Sequence, residues 1–369
     1  MARILYLDHA TALGGAERSL LDLLRKLDRA AWDPILACPP GALAEAARAL
    51  GIEVADLELG KLKDKNPFRS LRRLRSGVEA LARLADQTDC QIVHANTLRT
   101  AAYAAAARGG RWRLLWHVRD YRMPRWARFG LMRRCDLAVA PSRFVAESLP
   151  ARAKVRVVPN GLDLPPLPGE DARLAFRAEF GIAADAPVVG CLGRVRPWKG
   201  QRHFIGLAAT LAPRLPEAVF LVVGGTLFPD PGRDYLAELK DYAAQLDVAD
   251  RVVFTGHRED ALVALAAMDV VVNCSRDEPF GRVLLEAMAC RRPVVAFRSG
   301  AVEEIVEDGS TGLLVPLGDV AGMAEAVYDL VRNRERAEAY GEAGRQRVGT
   351  NFTLDATVRA IEEIYRQLL

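Results

Sequence analysis

Two glutamates eight positions apart, Glu278 and Glu286, mark the stretch SRDEPFGRVLLEAMACRRPVVAF, residues 275–297, as one that can do chemistry. Glu286 stands among Val283, Leu284, Leu285, Ala287, Met288 and Ala289, an apolar run that reads as a helix buried on most sides. A carboxylate in that setting needs partners. Carboxylates accept hydrogen bonds from pairs of hydroxyls, so Glu278 in its polar turn and Glu286 further along suit the two ends of one ligand, a sugar and a ribose. The plainer alternative is an exposed loop acid and a structural acid satisfied by the protein. Pro279, Phe280 and Gly281 form a tight turn between them. The free N–H groups of Gly281, Arg282 and Val283 at the helix start suit phosphate oxygens.

Cations that would complete such a site occur in GRVRPWKG, where Arg194 and Lys199 sit between Gly193 and Gly200 just after a strand. A forked guanidinium and a mobile ammonium meeting there would neutralise a diphosphate. Near the N-terminus Gly14 and Gly15 follow the first strand and open the first helix, where backbone can come close to an anion. Among the five histidines, two end strands. His117 closes RLLWHV and is followed by Arg119 and Asp120. His94, with Asn96, closes QIVHAN, and these four residues after and at the strand ends are candidates for the acceptor side. His9 has little to support it, and His203, inside a helix, reads as structural.

The elements that must position these groups alternate. RILYLDH, DPILACPP, QIVHAN, RLLWHVRD, DLAVAPS and KVRVVPNGLD read as strands in the first half, with helices between most of them. The second half restarts with PVVGCLGRV, AVFLVVGG, RVVFTG, DVVVNCS and RPVVAF, then a helical tail. Such alternation argues for βαβ units and parallel sheets, two of them in 369 residues. NGLDLPPLPGEDA reads as the linker. In open parallel sheets ligands bind beyond the carboxyl ends of the strands, where the residues above all fall.

Charge divides with the halves. Residues 1–165 carry 28 Lys and Arg against 17 Asp and Glu, or +11; the rest carry 23 against 30, or −7, giving the net +4. From Lys61 to Arg75 seven cations (Lys61, Lys63, Lys65, Arg69, Arg72, Arg73, Arg75) meet one acid, Asp64, while Phe68, Leu71, Leu74, Val78 and Leu81 recur at helical spacing and predict a packed face. A second basic stretch adds Trp112, Trp126 and Phe129. Cations interleaved with large aromatics suit an anionic membrane surface as well as an ordinary solvated face. No nucleic-acid module accompanies them, and the acidic half would repel a phosphate backbone. The six cysteines are scattered without a C-x-x-C pair, as in reduced intracellular proteins. No apolar run approaches a membrane span, and MARILYLDHA meets an aspartate too soon for a secretory signal.

EPFGRVLLEAMACRRPVVAF resembles the glutamate–seven–glutamate signature of the retaining family 4 glycosyltransferases, which act on nucleotide sugars and have the GT-B fold. The resemblance runs the length of the chain through GGAERSLLDLL, IVHANT, APSRFVAESL, VVPNGLD, GRVRPWKG, VVFTGHRED, VEEIVEDGSTGLLVPLGD and IEEIYRQLL. It implies an α/β chain of two Rossmann-like domains with parallel sheets facing across a cleft. Residues 1–162 would bind the acceptor, with a last helix over 352–369 packing back on them, and residues 163–351 would bind the nucleotide sugar.

Carried over position by position, the resemblance has Glu286 hold the ribose hydroxyls and Glu278 those of the sugar. Backbone around Phe280 to Arg282 contacts sugar and phosphate. Arg194 and Lys199 hold the diphosphate, Gly15 approaches it from the other domain, and Arg258 lies near the base. His117 matches the active-site histidine. The Arg119–Asp120 pair departs from the usual pattern, so the side chain that assists proton transfer stays open.

The implied activity moves a hexose from a UDP- or GDP-linked donor to a hydroxyl of a glycan or lipid-linked acceptor, in bacterial cell-envelope polysaccharide, lipopolysaccharide or glycolipid synthesis. Leaving-group charge would fall on Arg194, Lys199 and helix N–H groups, and D-x-D is absent from the sequence. Metal-independent transfer without a cofactor is therefore expected, in the cytoplasm or peripherally at the inner face of the membrane. A GT-B epimerase or hydrolase, and a non-catalytic nucleotide-sugar binder, are the rival readings.

Overall fold

The computed structural model of the chain describes residues 1–62, 67–109, 111–151, 153–226 and 233–369. Lys63, Asp64 and Lys65 of the basic run, and the side chains of Phe68 and Arg69, lie outside the described residues. The chain divides into two compact units, Met1–Gly161 with Leu354–Leu369, and Leu162–Thr353. The first break falls inside the Pro- and Gly-rich NGLDLPPLPGEDA.

In the first unit seven strands run β1 (Ala2–Leu7), β2 (Trp32–Cys38), β3 (Glu53–Asp56), β4 (Ile92–Ala95), β5 (Arg113–His117), β6 (Leu137–Ala140) and β7 (Val155–Val157). They form one parallel sheet in the order β3-β2-β1-β4-β5-β6-β7. Strand alternation sends Leu5, Leu7, Val93, Ala95, Leu114 and Trp116 to one core. Ile4, Tyr6, Ile92 and Leu115 turn to the other face, where the C-terminal helix Leu354–Leu368 contributes Val358, Ile361, Ile364 and Tyr365. That helix is amphipathic, and its buried stripe recurs at the helical interval of three to four residues.

The second unit holds β8 (Val188–Leu192), β9 (Val219–Val223), β10 (Val252–Gly256), β11 (Val270–Asn273), β12 (Val294–Arg298) and β13 (Gly312–Pro316), parallel and ordered β10-β9-β8-β11-β12-β13. Its strands read as near-continuous Val and Ala runs because both faces are covered. Each sheet reverses its winding once, between β1 and β4 and between β8 and β11. Those reversals are where ligands bind in doubly wound sheets.

Three elements differ from the sequence reading. The edge strand β3 was not foreseen and β13 was read into the helical tail; both are four or five residues long, and β3 carries exposed acids at its ends. The basic loop after β5 contains a π-helical turn, Trp126–Leu131, anchored by buried Ala127 and Leu131. All six cysteines are free, and burial pushes the Cys38 and Cys90 thiols up to about 11, so neither is a reactive thiolate.

Candidate active site

At the reversal of the second sheet, β8 runs out into Gly193 and Arg194, and a single 3-10 turn, Pro197–Lys199, leads to Gly200 and the helix Gln201–Leu211. Gly200 has φ +74, and a Cβ there would lie 2.1 Å from the Cys274 carbonyl oxygen at the end of β11. Only glycine lets this helix start approach the end of β11 so closely. The consequence is that Lys199 Nζ donates to Glu278 Oε2 at 2.6 Å, with the two side chains only 14 % and 7 % exposed. The ammonium also lies 4.4 Å from the Trp198 ring centroid. Arg194 is exposed on the same loop, its carbonyl fixed by Gln201 Nε2 at 2.8 Å.

Glu278 is held by its backbone as well. It pairs with Gly300 in a parallel bridge, and the Ala301 N–H donates to its carbonyl at 2.8 Å. A Cβ at Gly300 would meet that carbonyl at 2.4 Å, so this glycine sets the loop against the sheet. Phe280 is buried, edge-on to Phe352 at 6.4 Å, which anchors the turn before Gly281. Gly281 then starts the helix Arg282–Ala289 with a left-handed φ of +100. Its first N–H groups, with Val283 among them, have no partner within the helix. Pro279 packs in the same turn, half-buried.

Glu286 is the carboxylate the apolar run made improbable. It lies one turn below Arg282, whose Nε donates to its Oε1 at 2.8 Å, with exposures of 18 % and 14 %. The helix therefore carries its own cation for it. Arg258 was expected near a nucleotide base, but its guanidinium is spent on the protein. It bonds Glu179 at 2.6 and 3.1 Å and Asp260 at 2.8 Å from two nitrogens, above the Phe176 and Phe180 rings.

The first unit builds its strand ends differently. Asp8, fully buried just past β1, accepts from the His9 and Ala10 N–H groups at 2.6 and 2.9 Å and from Asn96 Nδ2 at 2.7 Å. Asn96 Oδ1 in turn accepts from Arg119 Nε and Nη2 at 3.1 and 2.8 Å, and Arg119 Nη1 reaches Asn160 Oδ1 at 2.8 Å. A second chain runs Tyr6 Oη, Tyr365 Oη, His94 Nδ1, with contacts of 2.8 and 2.6 Å, and then His94 Nε2 to His117 Nδ1 at 3.3 Å. The two imidazoles stack with centroids 5.5 Å apart. His117 Nε2 is buried and has no protein partner. Burial, with the Arg119 charge, pushes His94 down to about 3 and His117 well below the usual histidine range, so both rings are neutral at physiological pH.

Two expectations are corrected here. His94 and Asn96 do not line an acceptor surface: both are wholly buried and serve as links within the protein. Gly14 does not offer its N–H to a phosphate, because the Glu17 carboxylate, three positions into the helix, reaches back and accepts it at 2.9 Å. Burial, with Asp8 nearby, raises the Glu17 pKa. Gly15 is exposed with open space around it, and Asp120 is exposed. Asp8, Tyr6 and Tyr365 escaped the sequence reading. An aspartate closing a strand, in YLDHA, was the one available signal.

A cavity of about 500 Å³ opens in this unit beyond the carboxyl ends of β1, β2 and β3, lined by His9, Thr11, Glu58, Arg73 and Ser76 among others. A larger one, about 990 Å³, lies in the second unit at the amino ends of β8, β11 and β12, away from Lys199 and Glu278. Among the described residues, no helix is long and apolar enough to cross a membrane.

Two doubly wound parallel sheets, with the Lys199–Glu278 pair and a helix start at the switch point of the second, define the class: a two-domain GT-B protein. Comparison with known proteins narrows it. Residues 13–165 match Glycosyltransferase Family 4 and residues 172–347 match Glycosyl transferases group 1. The lipopolysaccharide core biosynthesis mannosyltransferase LpsB of Rhizobium meliloti is 33 % identical over 250 residues, 66 % of this chain and 69 % of that one. A GDP-mannose-dependent alpha-(1-6)-phosphatidylinositol monomannoside mannosyltransferase of Mycolicibacterium smegmatis is 40 % identical over 214 residues, 55 % of this chain and 54 % of its own. The matched part thus spans 54 to 69 % of these relatives. The crystal structure of Anabaena HepE with UDP and glucose superposes with a TM-score of 0.87 at 27 % identity, covering 99 % of this chain and all of that one. The chain belongs to the family 4 glycosyltransferases of GT-B fold, as the glutamate–seven–glutamate stretch implied.

Proposed function

We propose that this chain transfers a hexose from a UDP- or GDP-linked sugar to a hydroxyl acceptor, with retention and without a metal. The observation that carries the reading is the Lys199–Glu278 pair at the switch point of the second sheet, one short turn from a helix start and from the half-buried Glu286. An incoming diphosphate takes over Lys199, with Arg194 beside it, and frees Glu278 to accept from sugar hydroxyls. Glu286 accepts from the ribose, while Phe280 to Val283 offer backbone N–H groups to phosphate oxygens. Positive charge from protein groups stabilises the leaving nucleotide. His117 contacts the sugar, and the 500 Å³ cavity of the first unit holds the acceptor. HepE with UDP-glucose at 26 % identity, and the mannosyltransferases, support a nucleotide-sugar donor and an envelope glycan or lipid-linked acceptor.

The test is thermal stabilisation of the protein by UDP, GDP and their hexose conjugates in EDTA. One nucleotide family should raise the melting temperature, and Glu286→Ala should weaken its binding roughly 10- to 150-fold, the worth of hydrogen bonds to a charged acceptor. No stabilisation by any of them would leave the fold without this donor, and stabilisation only with a divalent ion would end the metal-free reading.

The acceptor side carries a membrane proposal. Leu71, placed by its spacing on a packed face, is instead 66 % exposed, and Trp126 and Phe129 are each 50 % exposed. Arg72, Arg73, Arg75, Arg125, Arg133 and Arg134 around them are exposed as well. Rings and cations together fit an anionic bilayer surface, which would place the enzyme peripherally at the inner face of the membrane. Sedimentation with phosphatidylglycerol vesicles at low salt should capture the protein, and Trp126→Ser with Phe129→Ser should weaken capture about tenfold. Equal binding to neutral vesicles, or none, would favour a soluble acceptor.

A further inference from the structure

The chain of groups that ends at His117 has a direction. Tyr6 Oη, Tyr365 Oη, His94 Nδ1, His94 Nε2 and His117 Nδ1 follow one another at hydrogen-bond distance, and every member but the last nitrogen of His117 is satisfied. Two proton arrangements are conceivable. In one, Tyr6 donates to Tyr365, Tyr365 to His94 Nδ1, and His94 Nε2–H to His117 Nδ1, so His117 carries its proton on Nε2. In the other every bond is reversed: His117 Nδ1–H donates to His94, His94 Nδ1–H to Tyr365, and Tyr365 to Tyr6. The reversed form leaves the Tyr6 proton without an acceptor, in a residue with no exposed surface, and leaves His117 Nε2 bare. A buried hydroxyl left without an acceptor loses the hydrogen bond it had in water and gains none in return. The first arrangement strands only the Nε2–H of His117, a buried group that no protein atom accepts from.

We propose that Tyr365, on the C-terminal helix, is a positioning residue that acts through His94 to hold His117 as the Nε2-protonated tautomer, so that this ring presents a hydrogen-bond donor and not a base. The functional part rests on the reading that His117 meets the donor sugar. The consequence is chemical. His117 does not take the proton of the acceptor hydroxyl; it donates to an oxygen of the ligand, and the proton released as the acceptor oxygen bonds the sugar carbon passes to the oxygen of the departing diphosphate. The C-terminal segment, far from His117 in sequence, is thereby part of what defines that ring. Neutrality of the two imidazoles fits this role: the groups facing them are Arg119 beyond β5, Tyr6 on β1 and Tyr365, and none supplies a negative charge that would favour a second proton.

Nitrogen NMR on the full chain labelled at histidine tests it without any ligand, with resonances assigned by replacing single histidines. At neutral pH, His117 should show a protonated Nε2 and a bare Nδ1. Tyr365→Phe keeps the ring that packs 5.3 Å from Trp32 but removes the donor to His94, so a His117 Nδ1–H population should appear. Tyr6→Phe removes only the far end and should leave the His117 tautomer as it was; in the reversed arrangement it would instead strand the Tyr365 proton. Should Tyr365→Phe fold poorly, the wild-type tautomer and Tyr6→Phe still decide. A bare Nε2 in the wild type, or a spectrum indifferent to Tyr365→Phe, overturns the proposal. UDP-glucose and GDP-mannose are then added in separate samples. A shifted Nε2 signal with either supports the contact, and indifference to both removes His117 from the donor site while leaving the tautomer relay standing.

Discussion

The two units solve one problem, holding polar groups at buried strand ends, with opposite chemistry. At the end of β8 and β11 the second unit uses full charges in pairs, Lys199 with Glu278 and Arg282 with Glu286. At the ends of β1, β4 and β5 the first uses one buried carboxylate ringed by donors, and beside it a run of neutral hydroxyls and imidazoles. A charged pair can exchange its internal partner for a charged ligand at little net cost, since the ion stays compensated throughout. A neutral chain cannot trade in that way; it fixes directions. The pairing suggests a division of labour, in which the second unit grips an anion and the first aims hydrogen bonds.

The largest expected effect breaks the charged side. Lys199→Met leaves Glu278 almost buried without its cation, which should cost about 3 kcal/mol, or roughly 6–12 °C in melting temperature for a unit of this size. Lys199→Met combined with Glu278→Met should recover most of that loss, because two well-packed thioethers replace a desolvated pair. Donor stabilisation should stay absent in the double variant. Thermal melts with and without UDP and GDP separate the two roles: full recovery of both stability and nucleotide binding would show that the pair is only structural.

The same contrast decides what the sequence could show. Glu286 and Arg282 are four positions apart, and Glu278 stands in the same stretch, so spacing along one loop and helix brought the second site into view. Lys199 was placed by its glycine-bounded turn after a strand, a local feature too. In the first unit the partners are Tyr6 with Tyr365, 359 positions apart, and His94 with Tyr365, 271 apart. Strand alternation says that Tyr6 faces a core, but nothing local says that a hydroxyl from the last helix waits there. His94 and Asn96 were therefore read as surface groups when they are links. Arg258 failed for the converse reason: TGHRED looks the same whether the guanidinium meets a base or, as here, two carboxylates, one of them the distant Glu179. β3 was missed because EVAD lacks the apolar run that marks the interior strands, and β13 because its short GLLVP run was absorbed into the helical tail that follows it.

The smallest expected effect sharpens the neutral side through pH. His94 and His117 are held neutral in the folded state, so below the ordinary histidine value near 6.5 the unfolded chain binds protons that the folded chain refuses. Stability is then fully present above pH 6.5 and falls as pH drops toward the folded values, His94 continuing down to about 3. From pH 7 to 5.5 the two rings together should remove roughly 2 kcal/mol. His9, also lowered by burial, adds to the loss, whereas Glu17, raised by burial, takes up its proton more readily in the folded state and works against it as pH falls. Four of the five tryptophans, Trp32, Trp112, Trp116 and Trp126, lie in the first unit, so urea melts followed by fluorescence report mainly on it. A midpoint that does not move between pH 7 and 5.5 would mean that these imidazoles take up protons without unfolding, and the contrast between a charged and a neutral strand end would fail at its neutral half.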